Sequence, residues 1–156
     1  MAFKLSTRSK DRLNGVHPDL VATVERAIQL TKVDFGVTCG LRTLQEQKDL
    51  VAKGASQTMN SKHLRQGDGY SHAVDVVAYI GPRISWEIAL YDDICDAMAI
   101  AAREVGCPIK WGAAWTEGDI RSYTGTAEDA MNAYIDKRRA ASRRPFLDSP
   151  HFEVLT

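Results

Sequence analysis

One carboxylate, Asp75, stands inside AVDVVAYI (73–80), an otherwise apolar run with the length and β-branched content of a buried strand. Burying a carboxylate without a partner is costly, so Asp75 must be hydrogen-bonded, paired or bound to a metal. Metal is the working reading, and the histidines supply what it needs. A catalytic zinc commonly takes three protein ligands of nitrogen and oxygen type and leaves a fourth position for water. His63, Asp75 and His151 meet that count. His72 is the rival first ligand. If the strand already begins at His72, positions 72 and 75 are an odd number apart and point to opposite faces, which favours His63. The remaining histidine, His17, directly precedes Pro18 and reads as a surface or capping residue.

The segment DSPHFEV (148–154) carries the other half of such a site. Pro150 restricts the backbone, so Asp148 and His151 hold a fixed relation, one beside the water and the other on the metal. Zinc lowers the pKa of a bound water from about 15.7 towards about 7. A carboxylate close by can take the water's proton and later pass one to a leaving amine. The spacing D-x-x-H alone is a weak signal and better fits an aspartate in a turn beside a core histidine. Arg42, in GLRT, is either a salt-bridge residue or a cation aimed at an oxyanion, where a donor is worth about a hundred- to a thousand-fold in rate. Trp111 and Trp115 can belong to the core or wall a cleft. Cys39, Cys95 and Cys107 form no CxxC pair and read as buried free thiols, with a metal ligand or nucleophile as the alternative.

These residues need elements to carry them. Pro18 suits the first turn of a helix to about Thr31, with Leu20, Val21, Val24, Ala27 and Ile28 on one face. Val33 to Cys39 alternates as a half-buried strand, and Gly40 ends it. Thr43 and Glu46 have capping-box spacing, so a second helix is predicted to run to about Lys53. Arg42 then lies at a strand-to-helix junction. The polar segment from Ala55 to Tyr70 reads as a long loop, of the kind that is often functional in a compact domain. After the strand Ala73–Ile80, a helix is predicted from about Ser85 to Val105, with Trp86, Leu90, Ile94, Ala97, Met98 and Ala101 on its apolar face. Ile109 to Trp111 is a short strand. Thr126 with Asp129 starts a last helix that ends in the basic run DKRRAASRR, and His151 to Leu155 is a short closing strand.

With 156 residues and no repeat or linker, the chain is expected to be one domain, 1–156. Twenty basic residues offset twenty acidic ones, so no global field argues for nucleic acid or a membrane surface. MAFKLSTRSKDRL lacks the apolar core of a signal peptide, and no run approaches the length of a membrane span, so synthesis in the cytoplasm is expected.

Taken together, SKH, HAVD, DSPHFE, GLRT and KWGAAW resemble the zinc D-alanyl-D-alanine carboxypeptidase and L-alanyl-D-glutamate endopeptidase family, and most of all the single-domain endolysins of phages infecting Gram-negative bacteria. The likeness extends over nearly the whole chain. It implies an α+β fold of the Hedgehog/DD-peptidase kind, an antiparallel sheet flanked by helices, with one zinc ion per chain. The family pattern S-x-H-x-x-G-x-A-x-D, matched from Ser61 to Asp75, implies that His63 and Asp75 are zinc ligands. The match to D-x-x-H implies His151 as third ligand and Asp148 as general base and acid, and GLRT implies Arg42 as the oxyanion cation. Ser61, Trp111 and Trp115 are expected to line the substrate. Two departures are visible: the stretch from His63 to Asp75 is five residues longer than the pattern, and Ser71 stands where the family has glycine. The loop alignment therefore leaves His72 open as first ligand.

The resemblance implies a phage-type endolysin, a zinc peptidase of peptidoglycan stem peptides that serves host lysis. Aspartate rather than glutamate at position 148 leans the substrate towards the L-alanyl-D-glutamate bond. The alternatives are a D-alanyl-D-alanine carboxypeptidase and a zinc-containing peptidoglycan-binding module without catalysis. A monomer is expected, reaching periplasmic peptidoglycan through a holin or membrane damage.

Overall fold

The computed structural model describes residues 2–155; Met1 and Thr156, the ends of the expected domain, lie outside the described residues. The elements follow in the order α1 (Thr7–Arg12), α2 (Pro18–Leu30), β1 (Asp34–Cys39), α3 (Leu44–Ala52), β2 (Ala73–Ile80) and β3 (Arg83–Ser85). After them come α4 (Ile88–Val105), β4 (Ile109–Trp111), a short 3-10 helix (Ile120–Ser122), α5 (Ala127–Ala140) and β5 (His151–Val154). The fold is α+β, as expected. β1, β2, β5 and β4 lie side by side with every pairing antiparallel, and β3 folds back on the outer end of β2.

Local chemistry explains most boundaries. The His17 ring caps α2 by accepting from the Asp19 N–H, and Pro18 opens the first turn. Thr43 and Glu46 form a capping box on α3, and Thr126 with Asp129 forms another on α5. Gly106, at φ 84°, closes α4 in the left-handed conformation. Val74, Val76 and Ala78 of β2 join Phe152 and Val154 of β5 in a core completed by α2 and α4, where Leu20, Val24, Ile94 and Met98 are fully buried.

Three expectations change. α1 was unforeseen, since its six residues carry little apolar periodicity; the Ser6 hydroxyl caps it and Ser9 is buried against β1. The long helix starts at Ile88 rather than near Ser85, because Arg83 to Ser85 pair with β2 in a hairpin around Gly81. Trp86, expected on the apolar face of that helix, is therefore 62% exposed and stacks on Tyr91. Among the described residues no helix is long and apolar enough to cross a membrane.

Candidate metal centre and cleft

Sheet register builds the site. Asp75 of β2 lies directly opposite His151 of β5 on one side and Cys39 of β1 on the other, the latter through a register shift after Val37. Paired residues on adjacent strands project to the same face. One row across the sheet thus presents a thiol, a carboxylate and an imidazole, while Val74, Val76 and Phe152 turn to the core. The loop before β2 adds His63, whose Nε2 is 3.2 Å from Asp75 Oδ2, and His151 Nδ1 is 3.1 Å from Asp75 Oδ1.

His72 goes elsewhere. Its Nε2 sits 2.7 Å from Asp68 Oδ2, its ring lies edge-on to His17, and it does not meet Asp75. The extra loop length is absorbed in a turn closed by the Gln66 N–H to the Tyr70 carbonyl, with Gly69 at φ 89°. That turn leaves His63 free to reach the sheet, so the structure places His63 rather than His72 against Asp75.

Each facing imidazole is anchored from behind. His63 Nδ1 lies 2.9 Å from the Gly40 carbonyl, which makes it the N–H nitrogen, and His151 Nε2 lies 2.9 Å from Glu153 Oε1. If the rings are neutral, the nitrogens turned towards Asp75 are the lone-pair nitrogens. Two lone pairs facing the oxygens of one carboxylate require positive charge between them: a proton on each ring, or a shared cation. His63 Nε2 is buried and makes no hydrogen bond among the described residues despite its closeness to Asp75. Without a metal, burial works against both imidazolium ions, but Asp75, joined by Cys39 at His63 and by Glu153 at His151, outweighs it and pushes His63 up to about 10 and His151 up to about 9. Burial also opposes the charge of Asp75, and the two histidines overcome it, holding its carboxyl well below the usual range. This donor set fits a divalent cation. Ligand atoms of Asp75, Asp148 and His151 lie within 4.8 Å of one another, as do those of Cys39, His63 and Asp75.

Asp148 reaches the same spot from the DSPH turn. Its N–H donates to the Gly112 carbonyl and its own carbonyl accepts from the His151 N–H. Gly112 permits this approach, since a Cβ there would collide with the Asp148 carbonyl oxygen. Burial raises the Asp148 carboxyl above its ordinary value, as suits a group that exchanges protons. Arg42 donates through Nη1 to Gln47 Oε1 at 2.8 Å and through Nη2 to Cys39 Sγ at 3.4 Å, with Asp75 Oδ2 farther off at 3.8 Å.

These groups open on a cleft of about 810 Å³ lined by Arg42, Ser61, His63, Trp115, Phe146 and Asp148, among others. Trp115 stacks on the exposed Phe146 and lies against the His151 ring. Ser61 is at the cleft, where its hydroxyl accepts from the His63 N–H. Trp111, by contrast, is fully buried and does not line the cleft: it shares a strand face with Ile109, packs on Phe152, and donates its indole N–H to the Ser149 carbonyl. It supports the DSPH turn instead of walling the substrate. Cys39, read as a buried thiol, is half-buried at the site, where His63 and Arg42 overcome burial and lower its pKa. Sequence reasoning missed Glu153, although its two-residue spacing from His151 on a strand puts both on one face. Gln47 left no signal in its helix.

An antiparallel sheet whose one face carries a candidate metal centre, a second carboxylate and an arginine along an open cleft brings together the groups that metal-assisted hydrolysis uses. The chain matches the phage L-alanyl-D-glutamate peptidase family over residues 1–155. It is 31% identical over 119 residues to the L-alanyl-D-glutamate peptidase of Escherichia phage T5, covering 74% of this chain and 83% of that protein. The crystal structure of the Serratia marcescens L-Ala D-Glu endopeptidase ChiX superposes with a TM-score of 0.70 at 33% identity, covering 99% of this chain and 91% of that one. The chain belongs to the phage L-alanyl-D-glutamate peptidase family.

Proposed function

We propose that the chain is a phage-type endolysin, a zinc peptidase that hydrolyses the L-alanyl-D-glutamate bond of peptidoglycan stem peptides and serves host lysis. The observation that carries the metal is the pair of anchored imidazoles, His63 and His151, turning their remaining nitrogens onto the two oxygens of Asp75. These three residues would hold the ion. When bound, zinc acidifies a water and polarises the scissile carbonyl. Asp148 takes the proton of the attacking water and delivers it to the leaving amine. Arg42, held at the cleft by Gln47 and Cys39, faces the oxyanion. Trp115 and Phe146 form one wall of the cleft, and the loop carrying Ser61 lies along it. The same reading makes 1–156 one catalytic domain, acting as a monomer, that is made in the host cytoplasm and reaches periplasmic peptidoglycan through a holin or membrane damage.

Mass spectrometry of purified sacculi after digestion tests this. Stem fragments beginning at D-glutamate are expected, and a chelator should abolish them. Loss of terminal D-alanine alone would assign the chain to the carboxypeptidases instead, and binding to sacculi without any release would make it a non-catalytic module.

A further inference from the structure

We propose that Gln47 is a positioning residue that couples the wall of the cleft to the guanidinium of Arg42; this rests on the reading of Arg42 as the oxyanion cation. Gln47 is the buried residue of α3, with 0% exposure on a helix whose other side chains are polar or partly exposed. An amide in such a place is costly unless its hydrogen-bonding capacity is used. Its oxygen accepts from Arg42 Nη1 at 2.8 Å, and its nitrogen donates to the Ser56 hydroxyl at 3.0 Å and the Thr58 carbonyl at 2.7 Å. Ser56 and Thr58 belong to an irregular stretch that lines the cleft, which Trp115 and Phe146 line as well. One buried side chain therefore holds both the cation and the loop.

The other contacts of Arg42 are weaker or misdirected. A thiol is a poor acceptor, and Asp75 Oδ2 lies 3.8 Å away. Once Gln47 lets go, the nearest strong acceptor for the guanidinium is Asp75 itself, which would draw the cation off the oxyanion position and onto a residue needed for the metal. Gln47 thus keeps Arg42 turned to the substrate, and a peptide pressing on Ser56 and Thr58 acts on the same amide.

Two substitutions separate the halves of this role. Gln47→Glu keeps an acceptor for Arg42 but offers no N–H to the loop, while Gln47→Met keeps the approximate volume and loses every bond. With a soluble stem peptide containing an L-alanyl-D-glutamyl bond, Gln47→Met should lower kcat by about a hundred-fold, the scale of a misplaced catalytic group. Gln47→Glu should mainly raise KM. Adding Arg42→Ala to Gln47→Met should cost far less than Arg42→Ala alone, the non-additivity of residues acting as a unit. Zinc affinity of the isolated protein should change less than about two-fold in both. Hydrogen exchange at 56–60 should speed up in both variants, and in Ser56→Ala, which leaves the core untouched and serves if the core variants fail to fold. Unchanged exchange, independent effects at 42 and 47, or zinc loss in step with activity would overturn the coupling. Exchange and zinc binding need no turnover, so a wild-type protein that left the L-alanyl-D-glutamate bond intact would refute the functional reading alone.

Discussion

His63 and His151 divide their nitrogens in the same way: one is tied to a fixed acceptor, the other faces Asp75. That division decides which substitutions should release a metal. His63→Ala should lose bound zinc and His72→Ala should keep it, as measured by metal content after dialysis, because His72 is spent on Asp68. Glu153→Gln should weaken zinc binding by about ten- to a hundred-fold in a competition titration with a chromophoric chelator, since it loosens the acceptor that orients His151. Asp148→Asn removes the proposed proton carrier while leaving the ring nitrogens in place. It should retain zinc and the melting temperature but lose sacculus lysis; lysis near the wild-type rate would take Asp148 out of the mechanism.

At the scale of elements, the row Cys39, Asp75 and His151 exists because β2 runs between β1 and β5 in one register. A slip of one residue would turn Asp75 to the core and Val74 or Val76 to the cleft. The helix behind the sheet carries a separate strain. Asp92 of α4 is 8% exposed, its Oδ1 has no hydrogen-bond partner among the described residues, and burial with the nearby charges of Glu128, Asp96 and Asp93 raises its pKa to about 6. A carboxyl with a raised folded value binds its proton more tightly when folded. Its contribution is therefore present below about pH 4 and is lost as pH rises through 6. Asp92→Asn should raise the melting temperature at pH 8 and do so much less at pH 5, as followed by thermal denaturation at both values.

For the whole molecule, a bound ion would join His63, Asp75 and His151, which are spread over most of the chain. An ion that binds only the folded state at about a hundred times its dissociation constant adds about 2.7 kcal/mol. For a chain of this size that is a rise in melting temperature of roughly 5–10 °C. The raised histidine values set its pH dependence. In the metal-free protein the two imidazolium ions stabilise the fold fully below about 6.5, and that contribution is lost as pH rises through 9 to 10. Zinc must displace those protons, so the zinc-induced rise should grow between pH 6 and pH 9. Melting curves with zinc and with chelator across that range would show it.

Much of this was legible in the chain itself. An isolated Asp75 in an apolar strand, capping boxes at Thr43 and Thr126, and the motifs SKH, HAVD, DSPHFE, GLRT and KWGAAW depend on local spacing and side-chain chemistry, which a linear pattern records. The β3 hairpin and the exposure of Trp86 were not legible, because a three-residue stretch with one apolar side chain, Ile84, is too short to show whether it pairs with a strand or starts a helix. The placement of Trp111 in the core, the turn that carries the extra loop length away from His63, and the contacts of Cys39, Gln47 and Glu153 are non-local or depend on rotamer and register. By itself the sequence determined that a buried Asp75 had to find a partner, and it offered His63, His72 and His151 as candidates. Tertiary structure decided which histidine arrives, because only folding brings residues 63 and 151 to the two oxygens of Asp75 and fixes their other nitrogens on Gly40 and Glu153.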